Sequence, residues 1–250
     1  MSQVYLTVAY DGTNYHGSAL QAGEPETIEA YLNRAIRGAT GEDSPVIGAS
    51  RTDAGVHARG AVFVFATEST IPADRFVYVL NHLLPEDIRV VESHPVPDDF
   101  HPRRQEARKT YEYRILNTPW ADPTRRLYTW HVPRPVDVTR MQKAAEYLAG
   151  EHDFTSFCNV DSTAQSHVRT ITAISVSREG DEIILRITGN GFLYNMVRII
   201  AGTLTQIGWG WREPDDMERI LSACDRAAAG CTAPPQGLIL AGYDFLQSPH

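Results

Sequence analysis

Between two apolar runs that read as strands, Val46-Ile47 and Ala61-Val62-Phe63-Val64-Phe65-Ala66, the chain interposes Gly48-Ala49-Ser50-Arg51-Thr52-Asp53-Ala54-Gly55-Val56-His57-Ala58. So short a break requires a tight connection, and Gly55 supplies the backbone freedom to bend it. The stretch brings a cation, a hydroxyl and a carboxylate together on a loop carried by strands, where polar side chains can be held rigidly at a cleft. The same residues also fit an Asx-turn in which Asp53 caps its own backbone and Arg51 is solvated. Spacing alone leaves both readings open.

The rest of the chain alternates strands and helices without solenoid repeats or low-complexity segments. Period-two runs predict strands over 3–10, 61–67, 87–93, 108–116, 168–177, 182–189 and 238–246. Helical spacing predicts helices over 26–38, 73–82, 139–149, 192–207 and 214–223. Met141, Ala144, Ala145 and Leu148 give the clearest apolar stripe, with Gly150 placed to end that helix; Glu213-Pro214 is a suitable start for the last one. In 192–207 the stripe is Leu193, Met196, Val197, Ile200, Leu204 and Ile207, while Arg198 projects opposite it on the side of Asn195 and Gly202. Proline, histidine and charge thicken from Pro95 to Arg104, which divides the chain into α+β halves, 1–104 and 105–250.

No apolar run approaches the roughly 20 residues of a membrane span, and the N-terminus enters a strand pattern without a signal peptide's apolar core, so a cytoplasmic protein is expected. Cys158, Cys224 and Cys231 include no Cys-x-x-Cys pair and read as free thiols rather than a disulfide framework or zinc site. A net charge of −8 argues against a nucleic-acid partner on average. Locally, however, Arg103, Arg104, Arg108, Lys109 and Arg114 stand against only Glu106 and Glu112, with Arg125, Arg126 and Arg134 following. A positive stripe on an acidic body attracts RNA; scattered solvated arginines are the competing reading.

Arg51-Thr52-Asp53-Ala54-Gly55-Val56-His57-Ala58 closely resembles the signature of the TruA family of tRNA pseudouridine synthases. Tyr10 to Gly17 resembles that family's N-terminal strand and turn. Further similar segments follow in the family's order: Asp98 to Arg103, Arg108 to Tyr113, His152 to Phe157, Gly191 to Arg198 and Ala233 to Leu240. The chain departs from the pattern at Gly17-Ser18-Ala19-Leu20-Gln21, where the family usually shows Gly-Trp-Gln-x-Gln, and Ser50 replaces a common glycine.

The resemblance implies the pseudouridine synthase fold: two related halves with mostly antiparallel sheets flanked by helices, an active-site cleft between them, and a homodimer. It implies isomerisation of uridine to pseudouridine at positions 38, 39 and 40 of the tRNA anticodon stem-loop, without metal or small-molecule cofactor. Asp53 is then the essential group, acting as nucleophile or as base in a glycal-type elimination. Arg198 keeps Asp53 ionised and oriented. Tyr111 stacks on the target uracil and assists proton transfer; Tyr113, on the same strand face, is packing. Arg51 occupies the place of the extruded base, while Arg103, Arg104, Arg108 and Lys109 bind phosphates. His57 and Thr52 support the loop.

Two other classes compete. A non-catalytic tRNA-binding or chaperone module would use the same cations without needing Asp53. A hydrolase with paired carboxylates is disfavoured because Asp53 has no motif-linked acidic partner and no His-Glu-x-x-His, P-loop or Gly-x-Ser-x-Gly motif occurs.

Overall fold

The computed structural model describes residues 2–246, which form two compact α+β units. One comprises the chain up to Ala107 together with the residues from Leu240 onward; the other comprises Arg108–Ile239.

The first unit contains β1 (Ser2–Tyr10), α1 (Ile28–Thr40), β2 (Ile47–Gly48), β3 (His57–Thr67), α2 (Phe76–Leu83) and β4 (Ile88–Val96). β1 lies between β3 and β4, antiparallel to both, and β2 pairs with β3. The register sets Tyr5 against Val64 and Leu6 against Phe63, so successive residues address opposite faces. Tyr5, Val62 and Val64 join Ala49, Val96 and Phe100 in one buried cluster, against which Tyr243 and Phe245 pack. On the other side Phe65 meets Phe76 of α2 edge-on at 5.1 Å. Phe63, Phe65 and Phe76 are fully buried, each contributing about 1.5–3 kcal/mol by removal from water. An irregularity between Val8 and Tyr10 shifts the β1–β3 register and brings Tyr10 opposite Ala58. Such shifts re-aim a side chain.

Thr27 starts α1 by accepting the Ala30 amide at 3.3 Å, and Gly41, at φ 75°, ends it. The strand predicted over 61–67 begins earlier, at His57, because Ala58 pairs with Tyr10 and continues the ladder with β1.

The second unit contains β5 (Ala107–Leu116), β6 (Trp130–His131), α3 (Val138–Glu146), β7 (Gly150–Asp153), β8 (Val168–Glu179), β9 (Glu182–Gly189), α4 (Met196–Gly208) and α5 (Asp216–Ala223). β10 (Leu238–Phe245) returns the chain to the first unit. Strands run in the order β5-β9-β8-β7, all antiparallel, with β6 parallel to β5. Asp137 caps α3 by accepting the Thr139 and Arg140 amides. Met141, Ala144, Ala145 and Leu148 are fully buried, as their spacing predicts. The helix ends at Glu146, however, and Gly150 does not stop it: at φ 101° that glycine opens β7.

The predicted helix over 192–207 also requires correction. Phe192 and Leu193 are irregular, Tyr194 and Asn195 form a turn, and α4 starts at Met196. The predicted stripe is buried, but so are Ile199, Ala201, Gly202, Thr203 and Thr205, so the helix is enclosed nearly all round. The side opposite the stripe is covered by the 229–234 segment. The Gly230 amide donates to Thr203 Oγ1 at 2.9 Å, and the Ala233 amide donates to the Arg198 carbonyl at 3.1 Å. A Cβ at Gly202 would stand 2.0 Å from the Cys231 carbonyl oxygen. Gly202→Ala is therefore expected to destabilise the protein by about 1–3 kcal/mol through overpacking, despite alanine's better helix propensity. Urea unfolding measures this, and an unchanged midpoint would refute so close an approach.

Candidate active site

The loop carrying Asp53 begins where β2 ends. The Ala49 amide still donates to the Val62 carbonyl at 2.8 Å, after which the chain leaves the ladder. Thr52, 7% exposed, is the anchor. Its amide donates to Ser18 Oγ at 2.9 Å, its carbonyl accepts the Ser18 amide at 3.1 Å, and its hydroxyl lies 2.8 Å from the Tyr10 hydroxyl. Tyr10 is buried, and that burial pushes its phenol well above the usual tyrosine range. The amide, carbonyl and hydroxyl of Thr52 are thus each held by protein.

Asp53, next in sequence, is half-buried. Its backbone carbonyl accepts the Val56 amide at 3.2 Å, closing a turn in which Gly55 sits at φ 76°. An L-residue with a Cβ would be strained there. The Gly55 amide donates to the Tyr15 carbonyl at 3.2 Å. Beyond the turn, a Cβ at Gly12 would stand 2.0 Å from the Val56 carbonyl oxygen, so the turn at Asp11-Gly12 lies directly against the loop. His57 is buried, with Nδ1 3.0 Å from the Gly12 amide and 3.1 Å from Asp11 Oδ1. The N-terminal segment from Tyr10 to Ser18 therefore grips the loop on both sides of Asp53.

Gly48 connects this loop to the interior. Its amide plane lies so close to Glu29 and Phe63 that a Cβ would meet Glu29 Oε1 at 3.0 Å and the Phe63 ring at 3.1 Å. Glu29 is buried and accepts the Leu20 amide at 2.8 Å.

The predicted cations divide into two sets. Arg51, Arg103, Arg104 and Arg108 are exposed, and Lys109 is half-buried on β5. Arg103 Nε donates to the Gly48 carbonyl at 2.8 Å, which places this arginine beside the start of the Asp53 loop. Arg114 and Arg125 belong instead to an ion-pair network. Arg114 reaches Glu112 and Glu182, Arg125 makes two bonds to Asp181 at 2.8 and 2.9 Å and also meets Asp122, and Arg186 grips buried Glu112 at 2.6 Å. Hydrogen bonding from Arg125 lowers the Asp181 pKa from the usual carboxylate range. These arginines leave the predicted positive stripe because carboxylates already balance them.

In the second unit, Tyr111 is 6% exposed on β5, with its ring edge-on to Phe192 at 5.1 Å. Tyr113 is fully buried and donates its hydroxyl to the Pro234 carbonyl at 2.7 Å, as a packing residue does. Burial raises its phenol pKa well above the ordinary value, an effect that the positive charge of Arg198 partly opposes. Arg198, half-buried on the first turn of α4, donates from Nε to the Ala233 carbonyl at 2.8 Å and from Nη1 to Asn195 Oδ1 at 2.7 Å.

Sequence reasoning missed Tyr10, Ser18 and Asn195. Ser18 carried a signal, since it marks the departure from the family pattern, but a buried serine looks like any surface serine until its partner is known. Among the described residues, no group of three or more His, Cys, Asp or Glu side chains could hold a metal ion, and no helix is long and apolar enough to cross a membrane.

The sequence model of the tRNA pseudouridine synthase family matches residues 6–103 and 144–245. The chain is 47% identical over 240 residues to a tRNA pseudouridine synthase A of Thermoanaerobacter sp. (strain X514), covering 96% of this chain and 98% of that protein. A protein of the same name from Brevibacillus brevis is equally similar over the same shares. The Halalkalibacterium halodurans tRNA pseudouridine synthase A is 48% identical over 96% of this chain and 91% of its own length.

Removing the Ser18 hydroxyl leaves the buried Thr52 amide without its acceptor. Ser18→Ala should cost about 1–3 kcal/mol of stability and speed hydrogen exchange at the Thr52 amide. Unchanged exchange at that amide would show that Ser18 does not anchor the loop.

Proposed function

The chain belongs to the tRNA pseudouridine synthase family, and from that premise we propose that Asp53 is its essential catalytic group, acting on uridines 38, 39 and 40 of the tRNA anticodon stem-loop. The observation that carries this reading is the grip on Thr52 and the turn at Gly55, which fix the backbone on both sides of a half-buried carboxylate. Rigid placement is what a group attacking one atom of a nucleotide requires.

The reaction breaks the bond from ribose C1′ to uracil N1, rotates the base, and forms a bond from C1′ to C5; C5 then loses a proton and N1 gains one. Reactant and product are isomers, so no oxidant or reductant enters. Asp53 serves either as the nucleophile that holds the sugar or base during rotation, or as the base that forms a glycal. Arg198 supplies the positive charge that keeps the carboxylate chemistry ionised. Tyr111 presents its ring to the uracil and its hydroxyl to the proton lost from C5. Arg51 fills the space vacated by the extruded base, whose unstacking costs a few kcal/mol. Arg103, Arg104, Arg108 and Lys109 contact phosphates.

The same reading takes the two units as related halves, each a mostly antiparallel sheet with helices, working as a homodimer in the cytoplasm. A sedimentation measurement tests the dimer.

The deciding experiment is nucleoside analysis of unmodified tRNA treated with the wild type and Asp53→Asn. The variant should retain its thermal midpoint and tRNA affinity while forming no pseudouridine; substantial turnover would refute the catalytic assignment. If the wild type itself forms no product but binds tRNA, a non-catalytic binding module is the correct reading. Arg198→Ala should slow turnover by about 100-fold with little change in affinity. For the phosphate contacts, Arg104→Ala should weaken binding and reduce the slope of log affinity against log salt by about 0.7–0.9; an unaltered slope would remove Arg104 from the interface.

A further inference from the structure

Asn195 and Cys224 are the two non-glycine residues with positive φ among the described residues, and Asn195 stands immediately before α4 at φ 61°, ψ 8°. Glycine adopts this conformation without penalty, and asparagine tolerates it better than most residues. An asparagine at a helix N-cap ordinarily turns its side chain back to accept an amide of the first turn. Here the side chain makes no cap bond. The backbone carbonyl of Asn195 accepts the Ile199 amide at 2.9 Å, while Oδ1 accepts Nη1 of Arg198 at 2.7 Å.

The guanidinium is thereby held by acceptors from two segments, Asn195 at Nη1 and the Ala233 carbonyl at Nε. Two bonds to neighbouring nitrogens of a planar fork determine both its position and its plane. Ala233 offers only backbone, and its own amide is tied to the Arg198 carbonyl at 3.1 Å. Asn195 contributes a side-chain acceptor, and it does so from a conformation that favours glycine. The left-handed turn explains why a small residue stands here. The bond to Arg198 explains why that residue has an amide oxygen.

We propose that Asn195 is a positioning residue that orients the Arg198 guanidinium for pseudouridine formation, a role that rests on the electrostatic function assigned to Arg198. It touches neither the nucleotide nor the reacting atoms and works through the arginine. Glycine at this position keeps the backbone and removes only the acceptor, so function separates from folding. Aspartate keeps an acceptor oxygen at the same reach.

The experiment measures single-turnover pseudouridine formation, tRNA affinity and thermal midpoint for the wild type, N195G, N195D, R198A and the double variant N195G/R198A. N195G should match or exceed the wild-type midpoint and retain its affinity, yet react about 10- to 100-fold more slowly, the scale of a small misplacement at a reacting centre. N195D should recover most of that rate. The double variant should be no slower than R198A, since both changes then act on one group. Wild-type turnover by N195G alongside a slow R198A would overturn the positioning role while leaving the function of Arg198 intact. A double variant slower than R198A would equally overturn it, by showing that Asn195 acts through another group. Wild-type turnover by R198A would sink the reading of Arg198 itself, and with it this inference.

Discussion

The hold on Thr52 is the constraint on which the geometry of the first unit's loop depends. A residue 7% exposed on a connection between strands has polar groups that the ladder cannot satisfy. Ser18 serves the amide and carbonyl together, and Tyr10 serves the hydroxyl. Tyr10 reaches it because the register shift at the end of β1 brings that residue opposite Ala58, beside the loop. Close approach then requires small residues: a Cβ at Gly17 would lie 2.9 Å from the Thr52 carbonyl, and one at Gly12 nearer still to Val56. The family usually has tryptophan where this chain has Ser18. In this chain the position is 1% exposed and is occupied by a hydroxyl that anchors the loop, so the departure falls on a structural contact.

Net charge misdirects in this protein because it averages over two kinds of cation. The −8 total includes the carboxylates that pair with Arg114, Arg125 and Arg186, and these arginines hold adjacent strands and loops of the second unit together. Glu112 is buried and carries two of those pairings, so removing either arginine would leave a poorly compensated charge in a site largely shielded from water. Arg51, Arg104 and Arg108 remain exposed. Sequence position placed Arg114 in the same stripe as Arg108. Only the partner across β9 separates their roles, since strand pairing sets Glu182 opposite Leu116 and Arg186 opposite Glu112.

Long elements were legible in the sequence; short ones, and the start of the enclosed α4, were not. β1, β8, β9 and α1 fall close to their predicted spans because each is a sustained run of strand- or helix-forming residues, and in α1 the buried Ile28, Leu32, Ala35 and Ile36 recur at helical spacing. β6 and β7 have two and four residues, too few to establish a period. The start of α4 was misplaced because Phe192 and Leu193 continue an apolar pattern that helix and buried turn share, while the left-handed Asn195 breaks the backbone without breaking the pattern. The side of α4 bearing Arg198 agrees with the angular reading, yet the segment covering it lies about thirty residues later and leaves no local trace. The loop at Asp53 was readable as a tight turn because Gly55 and the flanking strands are local features. The Ser18 contact, joining residues 34 apart, was not.

Side-chain length bears on how the two charged side chains singled out in the two units are ordered. Aspartate has two side-chain torsions, so fixing the backbone leaves its carboxylate little room. The contacts on Thr52, Gly55 and Val56 all act on the main chain around Asp53 or on its neighbour. Arginine loses about 1.5–2 kcal/mol of rotamer freedom when ordered, and a rigid helix beneath it restricts only the first torsion. Its guanidinium must be caught at the far end, as the Ala233 carbonyl and Asn195 Oδ1 do. Contacts on the main chain therefore fix the backbone that carries the short side chain, whereas the long side chain is itself met by acceptors at its tip. The strained asparagine before α4 supplies one of those acceptors: it stands three residues before Arg198, where the chain turns through a conformation that only a few residue types accept.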